Sequence, residues 1–146
     1  MTLRPYREED WFAVRDIYDL SKPDEMRGVL GRAAILPLEV DESMKQLFTE
    51  SQITVADDAD RTVGFAGNRG SFITWLFVHP SFRRRGVATA LVQSMLSQLD
   101  RPISLNVAIA NVAAICLYER LGFTVERHFL GEFQGHPCKA ARLRHD

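Results

Sequence analysis

Cysteine is scarce in this chain: Cys116 and Cys138 are the only two in 146 residues, too few for a disulfide framework. The opening residues MTLRPYREEDW hold no apolar stretch of the kind a secretory signal needs, so reduced thiols and a cytoplasmic setting are expected. Long hydrophobic runs are missing too. The nearest candidate, Ile73 to Val78, has the length of a strand, far short of the roughly 20 apolar residues that cross a bilayer, and no membrane partner is expected. Nor does one sign of charge dominate. A formal net charge of −1 gives no global attraction to nucleic acid or to an anionic membrane, and confines any basic site to a local cluster. Neither G-x-x-x-x-G-K-[ST] nor G-x-G-x-x-G occurs, which excludes the commonest phosphate-binding loops. His136-Pro137-Cys138 is too compact and isolated for a zinc site, and no metal is expected.

What is present is enough for one core. With 46% hydrophobic and 25% charged residues, a single domain over residues 1–146 is expected, with no internal repeat or linker. Leu3 to Tyr6 reads as a first strand and Glu8 to Leu20 as a helix carrying Trp11, Val14, Ile17, Tyr18 and Leu20. Between Ser21 and Val40, Pro23, Gly28, Gly31 and Pro37 interrupt any long helix, and the segment is expected to cover a substrate. A capped helix over Asp41 to Glu50 leads into strands at Ile53 to Val55, Thr62 to Ala66 and Phe72 to Val78, the last two separated by a Gly67 to Gly70 turn. Phe72 to Val78 is apolar almost throughout, as a central strand covered on both faces would be. Gly86 to Leu99 has the period of an amphipathic helix lying on a sheet. Ile103 to Val107 is a strand, Val112 to Leu121 a helix with Asn111 suited to its N-cap, and Phe123 to Phe129 and Ala140 to Leu143 close the sheet across a Gly131 to Pro137 loop.

The stretch Trp75 to Ala88 runs from a buried strand through a turn into a helix start, with Arg83, Arg84 and Arg85 at the helix end that disfavours cations. An anion bound among them, such as a diphosphate, accounts for that placement, and Gly86 and Ala88 leave the helix amides open to it. On charge alone a solvated basic turn accounts for the arginines equally well. A nucleic-acid surface would call for further basic residues interleaved with aromatics, and none is expected as a partner.

Arg83-x-x-Gly86-x-Ala88 matches the Q/R-x-x-G-x-G/A motif of the GCN5-related N-acetyltransferase (GNAT) family, and this sequence resembles that family. The resemblance implies an α/β (α+β) fold, a mixed, mostly antiparallel sheet of about six or seven strands flanked by about four helices. It implies that acetyl-CoA is the acetyl donor and that its pyrophosphate is held from Arg83 through Arg84, Arg85, Gly86, Val87 and Ala88 to Thr89. The main chain of Leu76, Phe77 and Val78 would pair with the pantetheine arm and polarise the thioester carbonyl.

Seven residues separate Asn111 from Tyr118, nearly two helical turns, so the two share a face about 10 Å apart. By itself that spacing suits an N-cap and a core tyrosine. Asn111-x-x-Ala114-x-x-x-Tyr118-x-x-x-Gly122-Phe123 also resembles the family's second acetyl-CoA segment. The resemblance implies that Asn111 and Ala114 lie along the pantetheine and that Tyr118, beside the thioester sulfur, is the general acid. The implied reaction is N-acetylation of a primary amine by direct attack in a ternary complex, the alternative being an acetyl-CoA-binding module without catalysis. The family's frequent glutamate, five residues before the asparagine, is replaced by Asn106. Glu132, His128 and His79 are the residues elsewhere that could serve as base, unless a water chain relays the proton. Cys116 lies in an apolar helical pattern and is expected to be a small buried hydrophobe, not a nucleophile. Asp24, Glu25, Glu39, Asp41 and Glu42 read as solvated surface, or as attraction for a cationic amine. The acceptor, a small molecule or a peptide amine, would be walled by Ser21 to Val40 and Gly131 to Pro137, and the protein would be a monomer or homodimer.

Overall fold

The computed structural model describes residues 1–146. One seven-stranded sheet is formed by β1 (Thr2–Pro5), β2 (Gln52–Asp58), β3 (Arg61–Arg69), β4 (Phe72–Val78), β5 (Ile103–Ala108), β6 (Thr124–Phe133) and β7 (His136–His145), in the order β1-β2-β3-β4-β5-β7-β6. Four α-helices flank it: α1 (Trp11–Glu25), α2 (Glu42–Glu50), α3 (Val87–Gln98) and α4 (Val112–Arg120). No helix is long and apolar enough to cross a membrane.

Every neighbouring pair of strands is antiparallel except β4 and β5. Those two run parallel and pair only at Phe72↔Ser104 and Ile73↔Leu105, after which they part. The opening between their C-terminal halves creates a gap in the middle of the sheet, and the burial of β4 reflects it. Ile73, Trp75 and Phe77 are buried, whereas Leu76 and Val78 are only half-buried, so the expected cover on both faces is incomplete.

Two cores sit on opposite faces. Val14, Ile17 and Tyr18 of α1 pack with Phe48, Phe65, Trp75 and Phe77, whose rings meet mainly edge-on or tilted at 5.2–6.2 Å. Leu91, Val92 and Met95 of α3 pack with Val63, Ile73, Leu105, Tyr118 and Phe123. Ile73 and Trp75 would share a face in a regular strand. A register shift between Gly67 and Asn68 of β3 lets β4 carry an extra residue there, which sends Ile73 toward α3 and Trp75 toward α1.

Four sequence expectations are corrected. Helix α1 passes through Pro23 to Glu25, because the stripe Val14, Ile17, Tyr18, Ser21 and Lys22 stays buried and outweighs the roughly 3 kcal/mol that an interior proline costs. Strand β3 continues to Arg69, leaving only Gly70 and Ser71 in the turn. The expected Gly131 to Pro137 loop is mostly strand, since Gln134 and Gly135 both take positive φ (50° and 81°) and close a two-residue hairpin. Cys116 is exposed, and Tyr118 is the one fully buried residue of α4.

Candidate active site

The gap between β4 and β5 opens into a cleft of about 920 Å³. Leu76, Phe77 and Val78 of β4 line it, with Phe82, Arg83, Arg84, Gly86, Val87, Ala88 and Thr89 from the turn and first residues of α3. Asn111, Ala114, Leu117 and Arg120 line it from α4, and Ser21, Asp24, Glu25 and Arg27 from the end of α1. A hollow of equal volume at the other end of β3 and β4, lined by Trp11, Phe48, Asn68 and Leu91, has no arginine in its lining.

The β4 side of the cleft is an unpaired strand edge. The His79 amide donates to the Val63 carbonyl at 2.8 Å, so by alternation Phe77 also faces β3, while Leu76 and Val78 turn their backbone groups toward the gap. The Val78 carbonyl accepts from Ser21 Oγ at 2.9 Å, which ties α1 to this edge.

The helix side offers donors. Helices α2 and α4 are capped, by Asp41 accepting from the Met44 amide and by Asn111 accepting from the Ala114 amide, both at 3.2 Å. At α3 the N-cap is Gly86, which has no side chain to offer, and its first-turn amides stand uncapped beside the cleft. Gly86 has φ +80° and a Cβ there would meet nothing within 4 Å. Arg84, two residues earlier, also takes positive φ (63°), a costly choice for an arginine. Alternating left-handed residues turn successive amides inward, which suits an anion with several oxygens.

Of the predicted residues, Leu76, Phe77, Val78, Arg83, Arg84, Gly86, Val87, Ala88, Thr89, Asn111 and Ala114 come together on this lining. The Arg85 side chain does not join them. Its guanidinium lies 5.0 Å from the Phe82 ring centre, which it shares with Arg61. Tyr118 lies behind the lining, 5% exposed, its ring edge-on to Phe123 at 5.3 Å. Burial, reinforced by the Glu25 carboxylate, pushes its hydroxyl above the ordinary tyrosine value, so it keeps its proton throughout the neutral range.

The suggested bases are not brought to the cleft. His128 and Glu132 are exposed on β6. His79 uses Nδ1 to accept from the Ser81 amide at 3.1 Å, and burial together with Arg61 and Arg83 lowers its affinity for a proton. Asn106 is exposed and accepts from Arg142 Nε, away from the lining. The carboxylates that do reach the cleft are Asp24 and Glu25. Their positions followed from the helix period once α1 was carried past Pro23, a signal that the proline masked.

The two expected acceptor walls meet in a small apolar cluster that joins Met26, Val29, Leu30 and Ile35 to Phe133 and Cys138, and in the bonds of one polar side chain. Gln134, at the tip of the β6–β7 hairpin, accepts from the Leu36 amide at 2.9 Å and donates to Asp41 Oδ2 at 2.9 Å and to the Leu36 carbonyl at 3.4 Å.

Residues 49–125 match the family model described as an acetyltransferase (GNAT) domain. The uncharacterized N-acetyltransferase YafP of Escherichia coli is 32% identical over 98 residues, 66% of this chain and 63% of that protein. Among the curated relatives it matches, the chain spans less than two thirds of their length, from 10% to 63%. A GCN5-related N-acetyltransferase from Rhodopseudomonas palustris superposes with a TM-score of 0.83 at 18% identity, covering 99% of this chain and 94% of that one. The structure of yncA from Salmonella typhimurium, with its cofactor acetyl-CoA, superposes at 0.71 with 17% identity over 99% and 92% of the two chains. At these identities the likeness is one of fold.

Proposed function

Because the chain belongs to the acetyltransferase (GNAT) domain family, we propose that it transfers an acetyl group from acetyl-CoA to a primary amine by direct attack in a ternary complex. The observation that carries this reading is the meeting, in one cleft, of the free β4 edge with the uncapped N-terminus of α3.

In this reading the amides from Arg84 to Thr89, with Arg83, hold the pyrophosphate, and the Leu76 and Val78 backbone groups hold the pantetheine arm. Asn111 and Ala114 bound the arm from α4. A backbone amide on the β4 edge stabilises the negative charge that develops on the thioester oxygen, and a fixed donor there is worth several kcal/mol, because it needs no reorganisation during the reaction. Tyr118, just behind the lining, is in this reading the donor to the departing sulfur. Its raised affinity for the proton makes it a neutral hydrogen-bond donor to the thiolate, which becomes a stronger base in the same low-dielectric setting. Asn106, exposed and bound to Arg142, takes no part.

The acceptor lies between the end of α1 and the β6–β7 hairpin, and its class is a small-molecule or peptide amine. The test has two arms. Isothermal titration with acetyl-CoA is expected to give saturable binding, and thiol release is expected with at least one amine from a panel of polyamines, amino sugars, amino acids and peptides. Binding without thiol release would make the chain an acetyl-CoA-binding module instead. Tyr118→Phe is expected to lower turnover by about 10- to 100-fold with acetyl-CoA affinity unchanged. Unchanged turnover across the panel and across pH would remove Tyr118 from the leaving-group step.

A further inference from the structure

We propose that Glu25 is the general base that takes the proton from the acceptor's ammonium group. The assignment rests on the acetyl-transfer reading above and fills the role that Asn106 leaves open. Two carboxylates line the cleft, and they differ in how they are engaged. Asp24 is held by Arg83 at 2.6 Å and by Arg27 at 2.9 Å, one cation on each oxygen. Glu25 has a single partner: Lys22 Nζ donates to its Oε1 at 3.0 Å, which leaves Oε2 for the cleft.

Lys22 is itself fixed. Its side chain is 9% exposed, and its ammonium lies 4.4 Å from the Phe133 ring centre and 5.7 Å from that of Phe77. An ammonium pinned on two aromatic faces holds the neighbouring carboxylate in one place. The groups within electrostatic reach of Glu25 come from three elements: Tyr18 and Lys22 on α1, Tyr118 on α4 and Cys138 on β7. Glu25 thus lines the cleft from the end of α1, while Tyr118 of α4 lies behind the lining within reach of the Glu25 charge.

The ammonium gives one proton to Glu25, and the freed lone pair forms the C–N bond at the thioester carbonyl carbon while the carbonyl electrons move to oxygen. As the carbonyl re-forms, the C–S bond breaks with its electrons on sulfur, which takes a proton from Tyr118. The proton that the new amide nitrogen sheds restores Tyr118, and Glu25 releases its proton to water. The products are the N-acetyl amide, the free thiol and one proton.

Glu25→Gln alone would strand the Lys22 charge in a buried site and could cost the fold. The informative comparison is therefore Lys22→Met, which leaves the partly exposed Glu25 carboxylate without its partner, against Lys22→Met/Glu25→Gln, which leaves no buried charge unpaired. The readouts are acetyl-CoA affinity by titration and thiol release with whichever amine of the panel the unmodified chain acetylates fastest, from about pH 6 to about pH 10. A base predicts turnover at least about 100-fold lower in the double variant than in Lys22→Met, acetyl-CoA affinity within about threefold, and a residual rate that rises about tenfold per pH unit with the free-amine fraction of the acceptor. If Glu25 serves only as the partner of Lys22, the double variant matches Lys22→Met in rate and in pH profile, and the assignment is overturned. Acetyl-CoA binding by the unmodified chain with no thiol release from any amine would overturn the acetyl-transfer reading, and the base with it.

Discussion

Arg83 Nη1 meets the Asp24 carboxylate at 2.6 Å, so the first arginine of the turn before α3 is held by the last turn of α1. The guanidinium keeps the Asp24 carboxyl below the usual carboxylate range, helped by Arg27, and the pair persists at any neutral pH. A diphosphate in the cleft would compete with Asp24 for the same cation. Asp24→Asn is therefore expected to tighten acetyl-CoA binding by about threefold to tenfold, while stability changes by less than about 1 kcal/mol because both partners are partly exposed. Titration calorimetry checks the first part and thermal melting the second. Weaker binding in the variant would mean that Asp24 positions Arg83 for the ligand and does not compete with it.

Gly86 separates two costs that a larger residue there would incur. Its φ of +80° lies in the left-handed region, where any side chain costs about 1–2 kcal/mol, yet a Cβ would meet nothing within 4 Å, so no clash forces the backbone to move. Gly86→Ala should lose that stability and also weaken acetyl-CoA binding at least about tenfold, by filling the space in front of the uncapped amides. Gly86→Glu should weaken it further through charge. An Ala variant with lowered melting temperature and unchanged affinity would take the α3 N-terminus out of the anion site.

How far the sequence could be read depended on whether the signal was local. Arg83, Gly86 and Ala88 announce an anion site because glycine and helix-terminal charge act within one turn, and Asn111 announces a cap because its side chain bonds three residues on. The stripe of α3 was legible for the same reason: Leu91, Val92 and Met95 repeat at helical spacing and are buried as expected. Distant contacts were not legible. Pro23 marks a helix end by every local rule, and only burial of Ser21 and Lys22 against the sheet carries α1 through it to Glu25. The β6–β7 hairpin depends on Gln134 taking a conformation that few glutamines adopt, stabilised by bonds to Leu36 and Asp41 about a hundred residues away.

Acid should loosen the first strand before the cleft. Arg4 grips Asp10 with two bonds of 2.8 Å and Asp57 with one of 2.6 Å, joining β1 to the start of α1 and to β2. Asp10 is 6% exposed, and the Arg4 guanidinium holds its carboxyl below the usual range. A carboxyl lowered on folding contributes stability that is complete above its ordinary value and is lost as pH falls through the depressed one. The loss is therefore expected below about pH 4. Asp10→Asn should remove about 3 kcal/mol at neutral pH and flatten the acid limb. Urea unfolding at several pH values measures both, and an acid limb identical to that of the unmodified chain would assign the loss to other carboxyls.

Gln134 is the position at which the acceptor walls can be separated from the donor site. Alanine there removes the bonds to Leu36 and Asp41 and keeps the unfavourable φ of 50°, whereas glycine removes the same bonds and relieves the backbone. If the bonds hold the segment after α1 against the hairpin, both variants should raise the acceptor KM by about threefold to tenfold, with acetyl-CoA affinity within about twofold, since none of the groups that line the cleft for the donor is touched. Stability should divide differently. Gln134→Ala is expected to lose about 1–2 kcal/mol, and Gln134→Gly about 1 kcal/mol less, the difference being the relieved strain. Equal acceptor KM in both variants and the unmodified chain, beside a clear loss of stability, would show that the clasp serves the fold alone and that the acceptor is bound nearer to α1.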